Sequence, residues 1–298
     1  MSKSLKAHIS LFLAQVIYAL NYSIAKDLMP NHIKPLGLVL LRVGGAGLLF
    51  WISSFFIKEE KVDKKDLKKF LILALFGVAI NQALFIYGLS ITYPINSAII
   101  MISNPIIVIV FTLIVFNEKI TLSKISGLIL GVAGALTLLL FKGNFTLGSD
   151  TIKGDAFTLL NSMSWAVFLV MAKPYMMKYH TVTVMKWIFL IGLFYIFPFG
   201  YEDLTLVNWS QLSKEVWYGI AFVIIATTFF AYLLNTYALK ALSPSVASTY
   251  IYFQPFLATI FAVYLKKDTL NPIKIVSALF IIAGVYLVSR KNSSKIKS

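Results

Sequence analysis

The chain has 298 residues, 59% hydrophobic and 13% charged, with a formal net charge of +15 and no cysteine. A soluble domain is about half apolar and a quarter charged, so this composition excludes an ordinary water-soluble core. The absent cysteines exclude disulfides and thiolate metal sites. The positive charge sits in short connections such as "KEEKVDKKDLKK" (58–69) and in the terminal "RKNSSKIKS". No polar segment is long enough for a nucleic-acid domain, so the charge reads as membrane topology.

A membrane-spanning helix needs about 20 mostly apolar residues. The first such run, 7–29, has no small-residue cleavage site and reads as a retained helix rather than a cleaved signal. It carries Gln15, Tyr18 and Asn21 at spacings that share one broad face. The second, 34–57, contains Arg42 and the glycines 44, 45 and 47; the third, 68–90, contains Asn81, Gln82 and Phe85. After the short "TYP" comes 94–116, with Met101, Asn104 and Pro105, and then 121–141, where Gly127 and Gly131 form a GxxxG pair suited to close helix packing. The second group runs 153–173 (Asn161, Trp165), 181–200, 215–240 (Thr228, Tyr232, Asn235), 244–265 (Tyr250, Gln254, Pro255) and 270–290. Ten such runs predict an all-α membrane protein, since only helices satisfy every backbone group within one segment. With the N-terminus inside, about 18 Lys and Arg fall on the cytoplasmic side against about 8 opposite, so both termini are expected to be cytoplasmic.

The chain also repeats itself. At an offset of 150, Tyr87 meets Tyr237, Pro94 meets Pro244, Asn104-Pro105 meets Gln254-Pro255, Glu118 meets Asp268 and Gly134 meets Gly284. Near the N-terminus the offset is 147, and Ala25-Lys26 meets Ala172-Lys173. Two five-helix units follow, 1–145 and 151–292, with 293–298 as a basic cytoplasmic tail. Five passes is an odd number, so the second unit enters the membrane from the opposite side. Inverted repeats of this kind underlie alternating access around a central cavity. Pro105 and Pro255 then mark paired helix kinks, each expected to free a carbonyl about one turn earlier, near Met101 and Ile251.

"YALNYSIAK" (18–26) with its partner "WAVFLVMAK" (165–173), "LLR" (40–42), the pattern from Asn104-Pro105 to Glu118 and "GLILGVAGA" (127–135) together resemble the EamA-type family of the drug/metabolite transporter superfamily. The resemblance covers nearly the whole chain. It implies a substrate cavity between the halves, lined mainly by spans 1, 3, 4, 6, 8 and 9, with cytoplasmic termini. Tyr18 departs from the tryptophan often found in the family, and Asp268 from the expected glutamate. Lys186 stands near the counterpart of Arg42.

The function expected is an alternating-access secondary transporter, read as an exporter, for a small organic metabolite such as an amino acid or related compound. It would sit in the cytoplasmic membrane as a monomer or weak dimer, without a cofactor, metal or nucleic-acid partner. A flippase for an amphipathic lipid-linked substrate is the alternative. The expected substrate contacts are Gln15, Tyr18, Asn21, Asn81, Phe85, Met101, Asn104, Asn161, Trp165, Tyr232, Tyr250 and Gln254, because polar groups within spans face the bundle interior. Arg42, Glu118 and Asp268 read as gating or structural charges. Arg42 either grips an anion or snorkels outward to pair with Asp27 or another acid, the second being favoured. Catalysis is not expected, since no nucleophile, base and orienting group converge within the spans. The coupling ion stays open: no carboxylate is placed in the middle of a span.

Overall fold

The structure is a computed structural model that describes residues 2–117, 120–140, 151–264 and 272–290. Five helices form the first half: α1 (Lys3–Leu28), α2 (Pro35–Ser54), α3 (Lys64–Ile91), α4 (Pro94–Phe116) and α5 (Leu122–Leu140). The second half holds α6 (Ile152–Lys178), α7 (Thr181–Thr205), α8 (Lys214–Ala238), a broken α9 (244–264) and α10 (Pro272–Ser289). Among the described residues, nine helices are long and apolar enough to cross a membrane. The expected ninth span is the exception. It consists of Pro244–Thr249, a 3-10 turn at Tyr250–Tyr252 and Phe253–Tyr264, none of which crosses alone.

Local chemistry sets the helix ends. The Ser2 hydroxyl accepts from the Leu5 N–H at 3.1 Å and caps α1. Pro35, Pro94 and Pro244 each open a helix, where the missing N–H has no intrahelical partner to lose. α4 stops at Asn117, whose φ of 48° is the left-handed conformation that asparagine tolerates better than most side chains.

The halves pack by exchange. α5 lies against its repeat mate α10, and α2 against its mate α7, while α3 on α6 is matched by α1 on α8. The mates run antiparallel. A Cβ on Gly127 would lie 2.6 Å from the Gly284 carbonyl oxygen, and one on Gly134 would lie 2.6 Å from that of Ser277, earlier in α10. Glycine at these points lets two backbones touch. The glycines of α2 divide: Gly44 and Gly47 face neighbours at an ordinary 3.6 Å, so close helix approach does not explain them, whereas a Cβ on Gly45 would meet Ile224 at 2.6 Å.

Two features recur at equivalent places without having been anticipated. The Lys26 ammonium donates to the carbonyls of Leu89 and Ser90 at 2.8 Å and of Thr92 at 3.0 Å, closing the C-terminal end of α3. Its mate Lys173 donates to the carbonyls of Leu239 and Leu242 at the end of α8. A cation there satisfies orphan carbonyls and complements the helix dipole. The second feature is a π-helical segment within each of the same two helices, Leu75–Ala79 in α3 and Phe222–Phe230 in α8. Such segments release carbonyls from the i→i−4 ladder.

Candidate functional site

α4 and α9, which carry the paired Pro105 and Pro255, each break partway along their length. In α4 the helical run from Pro94 ends at Met101 and resumes at Asn104. In α9 the 3-10 turn Tyr250–Tyr252 precedes Phe253. Each interruption lies about one turn before its proline, where the ring denies the ladder a donor and crowds the preceding carbonyl.

Between the breaks lies a cavity bounded, among the described residues, by eighteen from α1, α2, α3, α4, α6, α8 and α9. It leaves about 80 Å³ for the centres of water-sized molecules, several times the roughly 10–15 Å³ that one water needs. Eleven of the twelve expected contact residues line it: Gln15, Tyr18, Asn21, Asn81, Phe85, Met101, Asn104, Asn161, Trp165, Tyr232 and Gln254. Tyr250 does not. Its hydroxyl lies 2.6 Å from His8 Nδ1, and its ring packs on Phe253 with centroids 5.6 Å apart. The 3-10 turn winds more tightly than the α-helix assumed from sequence, which changes the direction in which a side chain one turn before the proline leaves the helix.

Gln82, Asn235 and Tyr22 also line the cavity. Tyr22 lies four residues after Tyr18 and so on the same face, a spacing that already marks it in the sequence. Ala247, Ser248 and Ile251 complete the α9 side. Small and aliphatic residues carry no signal that separates a cavity wall from ordinary packing.

The amides are tied into the scaffold. Asn81 and Asn161 clasp reciprocally: Asn161 Nδ2 donates to the Asn81 carbonyl at 2.8 Å and Asn81 Nδ2 to the Asn161 carbonyl at 3.3 Å. Asn104 Nδ2 donates to the Ser162 carbonyl at 2.8 Å. Because these nitrogens meet carbonyls, the flip state of Asn104 and Asn161 follows from the network, and among the described residues Oδ1 of each is left without a donor. The Tyr232 hydroxyl donates to the Gly77 carbonyl, inside the first π segment, at 2.9 Å, with Asn81 Oδ1 at 3.2 Å. Its ring is wedged between Trp165 and Phe189, with centroids 5.4 and 5.3 Å away.

Arg42 departs from the expectation of an acidic partner. It is 3% exposed and lines the cavity, while Asp27 is exposed at the end of α1. Among the described residues no ion pair holds Arg42, and its Nε donates to Thr228 Oγ1 at 3.0 Å. Lys186, its approximate counterpart, sits outside the cavity with its ammonium 4.9 Å from the Trp51 ring centroid. Glu118 and Asp268 lie outside the described residues. No cluster of metal-ligating side chains occurs among the described residues.

Residues 5–140 and 152–290 each match the EamA-like transporter family. The chain belongs to that family. The EamA-like chain is 25% identical to a protein of Archaeoglobus fulgidus named as an uncharacterized transporter, over 96% of this chain and 98% of the relative. It is 23% identical to the uncharacterized transporter YyaM of Bacillus subtilis, over 96% of this chain and 94% of that one. A WAT1-related protein of Arabidopsis thaliana is 23% identical, over 95% of this chain and 85% of the plant protein. One solved crystal structure superposes with a TM-score of 0.76 at 15% identity, covering 97% of this chain and 96% of the other, so the two share a fold; the two family matches make this chain a two-repeat helical transporter. It is a multi-pass membrane protein.

Proposed function

We propose that this EamA-like transporter is a secondary carrier that works by alternating access and moves a small organic metabolite, such as an amino acid or a related compound, outward across the cytoplasmic membrane. The observation that carries this reading is the cavity where the broken helices of both halves converge, lined by neutral amides and aromatic rings. Irregular backbone at membrane depth is tolerated where it lines a cavity, and a carrier places its site at the repeat interface. Tyr18, Phe85, Trp165 and Tyr232 offer flat apolar faces to the organic part of a cargo, and the unmatched oxygens of Asn104 and Asn161 accept from its donors. The repeat halves exchange roles when the carrier turns over, so each contact that closes one entrance has a mate that closes the other. Both termini are cytoplasmic in this reading.

The test is flux into proteoliposomes loaded with amino acids and related metabolites. Counterflow of a labelled solute is expected, and Trp165→Ala is expected to reduce it at least tenfold while the protein still elutes as a folded species. Absence of flux for every solute, with rapid scrambling of labelled lipid, would replace the carrier by a flippase.

A further inference from the structure

We propose that Arg42 anchors a carboxylate, so that the cargo enters the cavity with its carboxyl end on this guanidinium; this rests on the carrier reading above. Arg42 is 3% exposed, and Thr228 holds it from one side only. The Thr228 hydroxyl donates its proton to the Val223 carbonyl at 2.7 Å, five residues back within the π segment of α8. Its oxygen therefore meets Arg42 Nε as an acceptor at 3.0 Å. This orients the guanidinium, and among the described residues its Nη1 has no hydrogen-bond partner.

Charge points the same way. None of the eighteen lining residues is Asp or Glu, and among the described residues no ion pair holds Arg42. A guanidinium does not deprotonate in a protein, so it stays cationic where it is buried. A buried charge without a partner is costly, and an incoming anion removes that cost. The class of anion follows from the lining. The paired Nη groups match the two oxygens of a carboxylate. A phosphate monoester brings nearly two negative charges, and among the described residues the cavity lining holds no Lys, His or second Arg to meet the excess.

The test measures binding to the purified full chain in detergent by calorimetry. The probes share one benzyl group and differ in the head group: phenylacetate, phenylacetamide, benzylamine and benzyl phosphate. Phenylacetate is expected to bind tightest, and Arg42→Gln to weaken it about thirtyfold or more, as truncating one partner of a buried charged pair does. Arg42→Lys, which keeps the charge and loses the fork, is expected to recover only part of that affinity. Should Arg42→Gln fail to fold, Thr228→Val removes the acceptor that orients Nε, and a several-fold loss confined to phenylacetate is expected. Equal binding of phenylacetate by wild type and Arg42→Gln overturns the proposal. So does a preference for benzylamine, phenylacetamide or benzyl phosphate; if the preferred compound is carried into proteoliposomes, the transport reading survives without the carboxylate. If no probe binds and no solute is carried, both fall together.

Discussion

Gln254 donates from Nε2 to the Oε1 of Gln15 at 2.7 Å, and this bond ties the broken α9 to α1. The repeat mate of Gln254 is Asn104, and at the 147 offset the mate of Gln15 is Ser162, whose carbonyl Asn104 engages at 2.8 Å. The amide before each proline thus binds the first helix of the opposite half. The two contacts are equivalent in place and different in chemistry, one between side chains and one from side chain to backbone. Duplication kept the geometry while the partners diverged.

Gln254→Leu strands Gln15 Oε1 and also removes the oxygen that accepts from the Tyr22 hydroxyl at 3.2 Å. A loss of about 1–3 kcal/mol is expected, the cost of leaving buried polar groups unsatisfied. A double-mutant cycle with Gln15→Leu should return a coupling of about 0.6–1.7 kcal/mol, as for other interhelical bonds in membranes. Thermal melts of the four proteins measure it, and a coupling near zero would show that the bond contributes nothing.

Lys26→Met uncaps α3, and Lys173→Met uncaps α8. Each is expected to cost about 1 kcal/mol, with effects that add because the two sites share no partner. Hydrogen exchange should rise near residues 86–92 in the first variant and near 236–242 in the second. Uniform exchange change along the whole chain would argue against local capping.

Gly127→Ala pushes a methyl group toward the Gly284 carbonyl, 2.6 Å from the ideal Cβ position. Backbone cannot give way as a side-chain tip can, so a loss of about 1–3 kcal/mol is expected. Gly44→Ala is the control: its nearest neighbour, Leu193 Cδ1, lies at 3.6 Å, and the substitution should be neutral or stabilising by up to about 1 kcal/mol. Equal melting shifts for the two variants would contradict the packing described here.

Tyr232→Phe keeps the ring between Trp165 and Phe189 and deletes the hydroxyl that reaches Gly77 and Asn81. The π segment of α3 then keeps a buried carbonyl without its donor. About 1–3 kcal/mol should be lost on melting, with the helix content unchanged by circular dichroism. A wild-type melting curve would mean that water replaces the hydroxyl at no cost.

Local composition and repetition encode the coarse architecture. Apolar run length located the helices, because the bilayer sets the length of a span. The 150-residue offset exposed the two halves, and the prolines marked where α4 and α9 break, because the missing N–H acts on its own helix. Most of the cavity wall was legible for a related reason: polar side chains in apolar runs have few places to go except inward. Which residue partners which is settled by helix packing. Arg42 was expected to find an acid and meets Thr228, 186 residues away. Tyr250 was expected in the cavity and turns to His8, 242 residues away. Lys26 and Lys173 read as repeat mates, and their ammonium groups close helix ends through carbonyls 63 to 69 residues further on. Such pairings depend on which helix faces which, and no local propensity carries that information. The π segments belong to the same class, since the carbonyls at Gly77 and Val223 are satisfied by Tyr232 and Thr228, groups outside the regular ladder.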